Sequence, residues 1–238
     1  VPQDVKKIAY ATSFGIGSIP AKYEKIYSHY LKRIDYLSAR ETSGQDIVKK
    51  LAGRDVQLVN DPALLLDADG WNEVISNEPL IKEKYVFCYF MGNNPEQRNF
   101  VRRLANEKGL KVVALLHLDQ YIASDENYVD MAPWHVSPAD FVNLVKNAEC
   151  VCTDSFHGTV FSIIYSRPFF TFKRFNKKAS LSTNTRITSL LTRLGLMDRL
   201  VLDMDSKQTF DIDWEKIQSG VSQFRKASSE YLLNAIRA

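Results

Sequence analysis

Short apolar runs of strand length alternate with amphipathic stretches of helix length almost from end to end of this chain. No other feature restricts its fold as tightly. Residues 7–13, 35–41 and 56–62 read as strands, and 21–34 and 42–53 as helices between them. In the first of these helices Tyr23, Ile26, Tyr27, Tyr30, Leu31 and Ile34 recur at helical spacing and give one apolar face. Thr42 or Ser43 is expected to cap the second, and Gly53 to stop it. After a looser polar stretch, 67–79, the alternation resumes. Strands are expected at 84–91, 111–117, 150–153 and 168–172. Helices are expected at 95–109, at 137–149 with Ser137 as cap and Pro138 in the first turn, from about 155, and at 185–194. A long amphipathic helix, about 213–236, closes the chain. Strands separated by helices of this length form parallel sheets covered on both faces. The break predicts two αβα units: residues 1–80, then 81–204, with 205–238 as a C-terminal helix packing at the junction.

Composition narrows the function classes. A chain of 238 residues can bury a sizeable core without staples. Its net charge of +3 is too small to argue for nucleic acid, and no basic run is long enough to track a phosphate backbone. No apolar stretch reaches the roughly 18 residues of a membrane span. Of the three cysteines, Cys150 and Cys152 sit two apart in a strand and share one face, so burial is expected rather than pairing. With Cys88 also in an apolar run, a reducing compartment is expected. No metal-ligand spacing occurs.

The most informative stretch is "ECVCTDSFHGTVFSIIYSRPFF" (149–170), in which Thr153-Asp154-Ser155-Phe156-His157-Gly158 forms a polar knot between two apolar runs. A strand–knot–helix order puts the knot at the carboxyl edge of a parallel sheet, where open α/β folds bind ligands. The first helical turn offers backbone N–H groups and the positive end of a dipole, which suits an anion. Gly158 leaves room for a ligand or a neighbouring backbone. The helix end disfavours a charged His157 and a bound phosphate favours it, so the imidazole is placed for proton transfer. The bland alternative has Asp154 or Ser155 capping the helix and His157 bonded inside the core.

More than the knot points further. "TDSFHGTVFSIIYSRPFF", the Ser-x-Arg-Glu and Asp-Pro-x-Leu-Leu-Leu of "YLSARETSGQDIVKKLAGRDVQLVNDPALLL" (36–66), "IAYATSFG" (8–15) and "NTRITSLLTRLGL" (184–196) together resemble the polysaccharide pyruvyl transferase family. The resemblance implies a GT-B-like fold, two Rossmann-type αβα units facing a cleft, of which this chain enters the first partway. It implies transfer of the pyruvate unit of phosphoenolpyruvate onto a pair of sugar hydroxyls, giving a ketal and phosphate. The partners implied are phosphoenolpyruvate and a saccharide acceptor, free or lipid-linked, of a surface glycan. No metal or other cofactor is implied. The setting implied is the cytoplasm, at the inner face of the membrane.

A small trianionic donor needs cationic clamps and a proton-transfer group. His157 is the expected acid–base residue and Asp154 its orienter. Ser155 and Gly158 belong to the anion-binding turn. Arg40 is expected to reach the anion from the first domain, its alternative being a surface salt bridge with Glu41. Arg186, expected in the second domain, and Lys173 and Arg174, after a strand on the ligand edge, are further clamps. Lys177 and Lys178 extend that basic stretch. Some branches of the family carry an arginine where this chain has Ser155, so here the charge must come from elsewhere.

Two rival functions stay open on the same fold: a glycosyltransferase or epimerase with a nucleotide-sugar substrate, and a non-catalytic glycan-binding protein. Smaller signals carry less. Gly15-Ile16-Gly17 lacks a third glycine and reads as a turn. His117 and His135 read as loop residues, with the acceptor pocket as the alternative, and Trp134 as a ring for sugar stacking. Asp119, Asp125 and Asp130 lack calcium-loop spacing.

Overall fold

A computed structural model describes residues 4–174 and 184–238; Lys177 and Lys178 lie outside the described residues. In chain order the elements are β1 (Ile8–Thr12), α1 (Ala21–Leu31), β2 (Tyr36–Ala39), α2 (Thr42–Ala52), β3 (Gln57–Leu58), α3 (Ala68–Asn72), β4 (Tyr85–Tyr89), α4 (Pro95–Lys108), β5 (Lys111–Leu115), α5 (Pro138–Asn147), β6 (Cys150–Thr153), α6 (Phe156–Ile164), β7 (Phe169–Phe172), α7 (Asn184–Leu194), β8 (Leu200–Val201) and α8 (Trp214–Arg237). All the paired strands are parallel. The chain is α/β, with two compact units.

The first unit comprises the described residues of Val1–Leu65, Phe175–Gly195 and Glu215–Ala238. Its sheet runs β1-β2-β3, over a small core of Leu31, Leu37 and Val48 with Phe14, Ile34 and Leu51 against it. Neither Thr42 nor Ser43 caps α2. The cap position falls on Glu41, whose side chain makes no cap bond. That carboxylate is fully buried and turned to the chain after β1: its Oε1 accepts from Ser13 Oγ at 2.9 Å, Phe14 N at 2.9 Å and Gly15 N at 3.3 Å. The glycine stop at Gly53 is left-handed, φ 70°, a conformation that costs a glycine little. The apolar face of α1 is less covered than its spacing predicts. Only Leu31 is buried in the helix, while Tyr23, Ile26, Tyr27 and Tyr30 are exposed.

Helices α7 and α8 complete this unit. Thr42 N donates to Ser189 Oγ of α7 at 3.2 Å. Ser228 Oγ of α8 accepts from Asn60 N at 2.8 Å, and Arg225 Nε donates to Leu64 O at 2.9 Å. Arg193 lies over the Phe224 ring, 3.7 Å from its centroid.

The second unit, Leu66–Arg174 with Leu196–Trp214, has the strand order β5-β4-β6-β7-β8. Cys88 is in register with Ala114 on one side and Cys152 on the other. Cys88, Cys150 and Cys152 are free, buried thiols in a core with Phe100, Leu104, Val112 and Phe170. On the opposite face Phe87 meets Phe141 of α5 edge-to-face, centroids 5.8 Å apart. Helix α5 begins as its sequence predicts: Ser137 and Asp140 form a reciprocal capping box, with Pro138 in the first turn.

The polar stretch 67–79 belongs with this second unit. Asp67 caps α3 by accepting from Gly70 N at 3.0 Å, and Trp71 stacks edge-on against Phe161, centroids 4.9 Å apart. Asn143 Nδ2 donates to Ser76 O and Glu78 O, both at 2.9 Å, and its Oδ1 accepts from Leu80 N. One buried amide thus secures a segment that composition alone reads as loose.

Numbered within the unit, the strand order is 2-1-3-4-5. Connections leave β4 in opposite directions, so the topological switch lies between β4 and β6. The carboxyl ends of those two strands are therefore the place to look for a ligand.

Candidate functional site

The polar knot occupies that switch point, and a ladder of buried hydroxyls shapes it. Thr153 Oγ1 donates to Tyr89 O at 2.6 Å and accepts from Ser155 N at 3.0 Å. Thr159 Oγ1 donates to Ser155 O at 3.1 Å and lies 2.8 Å from Thr171 Oγ1. Ser162 Oγ donates to Gly158 O at 2.8 Å. Each hydroxyl is thus satisfied inside the buried turn by a backbone group or a second hydroxyl.

From Cys150 to Ile164 every residue is buried except His157, which is exposed. The chain spends a well-satisfied, rigid turn on presenting one imidazole to solvent. Its ring sits edge-to-face with Phe156, centroids 5.4 Å apart.

The other residues of the knot are structural pins. Ser155 is the N-cap of α6 and accepts from Gly158 N at 3.4 Å. A Cβ added at Gly158 would lie 2.6 Å from Thr153 Oγ1 and 2.9 Å from Thr153 Cγ2, so the space left by the glycine is filled by a side chain of β6. Asp154 is buried. Its carboxylate accepts from Met91 N at 2.8 Å and Gly92 N at 2.9 Å, just beyond β4. It also lies 3.6 Å from Arg174 Nε, and Arg174 Nη2 donates to Asp154 O at 3.1 Å. Asp154 thereby ties three segments of the ligand edge together. A Cβ on Gly92 would stand 2.9 Å from Asp154 Oδ2 and 3.2 Å from Arg174 Cγ. Lys173 is the first residue beyond β7, and its carbonyl accepts from Gln97 Nε2 at 3.2 Å.

Beside His157 and Ser155 opens a cavity of about 710 Å³. Trp71, Tyr89, Phe141 and Phe161 line it, with Leu115 at the end of β5 and Ser137 at the start of α5. Apart from His157 and the phenol of Tyr89, no ionisable side chain is among the described residues that line it.

Arg40 and Arg186 belong to the first unit. Arg40 is ion-paired to the buried Asp61, with Glu41 Oε2 at 3.9 Å from its Nε. Since Glu41 is fully buried, the pair is no surface salt bridge. Arg186, expected in the second domain, lies on α7, which groups with the first unit through Ser189.

Outside the knot, His117 Nδ1 lies 2.7 Å from Asp125 Oδ2, and Arg98 holds the same carboxylate through Nε at 3.1 Å and Nη2 at 2.7 Å. His117 is absent from the cavity wall. Trp134 is 71% exposed, and His135 is exposed with φ 57°; neither lines the cavity. Sequence reasoning missed three features: Glu41 as the anchor of the first turn, Asp61 as the partner of Arg40, and the cavity aromatics. For Asp61 a signal existed, since it stands in the Asp-Pro-x-Leu-Leu-Leu block. For the cavity only Trp71, a large ring in a polar stretch, gave any.

Among the described residues no cluster of three or more His, Cys, Asp or Glu is arranged to hold a metal. None of their helices is long and apolar enough to cross a membrane.

Comparison with known proteins agrees with this architecture. The UDP-GlcNAc 2-epimerase of Methanocaldococcus jannaschii is similar in structure, with a TM-score of 0.50 and 15% identity over 92% of this chain and 62% of that one. The 2-epimerase of Neisseria meningitidis bound to UDP-GlcNAc gives 0.45 at 13% identity, over 86% and 62%. The H444N variant of the wall teichoic acid polymerase TagF gives 0.47 at 17% identity, over 91% and 61%. The chain thus spans about three-fifths of the length of these proteins. At 15% identity the likeness to the first of these, with its TM-score of 0.50, is one of fold alone, of GT-B kind. No curated protein matches the chain in sequence. The sequence model of one family, polysaccharide pyruvyl transferase, matches residues 1–174, the polar knot included. With nearly three-quarters of its length so matched, the chain belongs to the polysaccharide pyruvyl transferase family.

Proposed function

We propose that this protein moves the pyruvate unit of phosphoenolpyruvate onto two hydroxyls of a saccharide, with His157 as the acid–base residue. The donor's C3 takes up a proton and becomes a methyl group, leaving an oxocarbenium-like C2. Two sugar oxygens bond to C2, the C2–O bond to phosphate breaks, and the hydroxyls give up two protons. One proton balances that added at C3 and the other leaves with phosphate. His157 exchanges the proton at C3 or at the attacking hydroxyl. Lys173 and Arg174 serve the phosphate with the first turn of α6, whose dipole favours an anion. Arg40 and Arg186 are proposed as further donor ligands. Asp154 acts through Arg174 and the turn after β4, as a positioning residue. Phosphoenolpyruvate is the only co-substrate in this reading, with no further cofactor. The acceptor belongs to a surface glycan or its lipid-linked precursor, which sets the reaction in the cytoplasm at the membrane's inner face.

The observation that carries the reading is the exposure of His157 alone in a run of buried residues, at the switch point of a chain belonging to this family. The test is calorimetric titration of the full chain with phosphoenolpyruvate and, separately, with UDP-sugars. Phosphoenolpyruvate is expected to bind, and Arg174→Ala to weaken it about tenfold or more. Binding of a UDP-sugar without phosphoenolpyruvate would replace this reading with a nucleotide-sugar enzyme.

A further inference from the structure

The cavity beside His157 is a poor match to the anionic donor. Among the described residues its wall holds four aromatic rings, aliphatic side chains, two serines and one histidine, and neither a lysine nor an arginine. A trianion taken into such a wall would exchange water for ring faces and lose more than it gained. A nucleotide has the same difficulty, since its diphosphate would meet a wall whose described residues include no lysine or arginine. The wall suits a neutral ligand that is apolar on its faces and polar at its rim. A pyranose ring is such a ligand: its axial C–H groups lie on aromatic carbon while its hydroxyls turn toward the edge.

Resting on the transferase reading, we propose that this cavity is the acceptor subsite, taking a neutral pyranose ring among Trp71, Tyr89 and Phe141, with its reacting hydroxyls toward His157 and Ser155. The volume of about 710 Å³ lies inside the range of small-molecule sites, about 300–1,000 Å³. The rings are preorganised. Trp71 meets Phe161 at 4.9 Å and Tyr89 meets Phe141 at 5.1 Å, both edge-to-face, and Phe141 meets Phe161 at 6.0 Å. Such mutual contacts fix the rings before a ligand arrives, so little side-chain entropy is lost on binding. The polar groups are few: His157 and Ser155 from the start of α6, Ser137 from the start of α5 and the Tyr89 phenol from the end of β4. A wall of this kind recognises a ring by shape and leaves the chemistry to His157. Trp71 becomes the principal specificity residue, contributed by the short helix whose sequence looks like a linker.

Saturation-transfer NMR on the full chain tests this with methyl glycosides of glucose, galactose and mannose, and with uridine as competitor. Ring C–H protons of at least one glycoside are expected to receive saturation in the wild type and in Trp134→Ala. The signal should fall at least fivefold in Trp71→Ala. It should fall similarly in Val74→Trp, which fills the cavity from a position 61% exposed and so spares the core. Glycoside signals unchanged in both cavity variants, or displaced by uridine, would overturn the proposal. Phosphoenolpyruvate is titrated into the wild type in parallel. Donor binding without any glycoside signal would defeat the subsite and leave the transferase reading standing. Glycoside binding lost in the cavity variants, without donor binding, would defeat the transferase reading and leave a sugar-binding cavity.

Discussion

Replacing Gly158 by alanine separates two explanations for the glycine beside His157. If the glycine exists to let a ligand approach, the substitution alters binding and leaves stability alone. If it exists because Thr153 fills the space, stability itself falls. A new Cβ would stand 2.6 Å from Thr153 Oγ1, 2.9 Å from Cγ2 and 3.1 Å from Cβ. Thr153 has nowhere to retreat, being fully buried and bonded to Tyr89 O and Ser155 N. Overfilling a tight core costs about 1–3 kcal/mol. Helix propensity works the other way, since alanine gains roughly 0.5–1 kcal/mol over glycine inside a helix. At mid-range the steric cost, about 2 kcal/mol, exceeds the propensity gain, about 0.75 kcal/mol, so a net loss of roughly 1 kcal/mol is expected. Thr153→Ala removes both of the closest atoms, so the double variant should be more stable than the two single effects predict, by about 0.5–3 kcal/mol. Urea unfolding followed by tryptophan fluorescence reads all four proteins. A neutral or stabilised Gly158→Ala, with an additive double variant, would refute the steric account.

Three further outcomes follow from the same geometry. Asp154→Asn keeps the shape but removes the charge that holds Met91 N, Gly92 N and Arg174; a loss of about 1.5–3 kcal/mol is expected, with faster hydrogen exchange at the Met91 and Gly92 amides than elsewhere in the sheet. Burial raises the thiols of Cys88 and Cys152 well above their usual range, so a thiol reagent at pH 8 should find Cys88, Cys150 and Cys152 unreactive in the native protein and titrate all three in denaturant; a fast-reacting thiol in the native state would contradict the buried-core placement. The Asp140 carboxyl is held below its ordinary value, first by the Ser137 backbone N–H and then by the Ser137 hydroxyl. Because the folded value is depressed, the advantage of wild type over Asp140→Asn should be present at neutral pH and fade as pH falls below about 4; thermal melts from pH 7 to pH 3 check it.

The local parts of the structure were the legible ones. The helix α5 could be placed because Ser137, Pro138 and Asp140 act within one turn, and Gly53 marked a helix end because left-handed backbone is a local property. The cysteine placement followed from strand alternation. What escaped depends on contacts distant in sequence. Nothing near Thr42 announces that Glu41 will be drawn away to Ser13 and Phe14, leaving α2 without a side-chain cap. Nothing near Trp71 says that Phe161 will cover it, or that Asn143 will hold the segment after it. The apolar spacing of α1 identified a face suited to burial, but spacing carries no information on what covers that face. In the site, His157 stood out by residue type and setting, whereas the contacts of Asp154 and Gly158 could not be read there for one reason. Their partners, the amides after β4 and the Thr153 side chain, become neighbours only when β6 pairs with β4.

The most direct test of the central claim is phosphorus NMR of phosphoenolpyruvate incubated with the full chain and a saccharide that binds it, for wild type and His157→Asn. If His157 moves the proton, wild type converts the donor to inorganic phosphate only when the saccharide is present, and a new methyl signal of the ketal appears in the proton spectrum. In His157→Asn the rate should fall about 10²–10⁴-fold while donor affinity changes little. Undiminished phosphate release by His157→Asn would contradict the account, and so would donor consumption that ignores the saccharide.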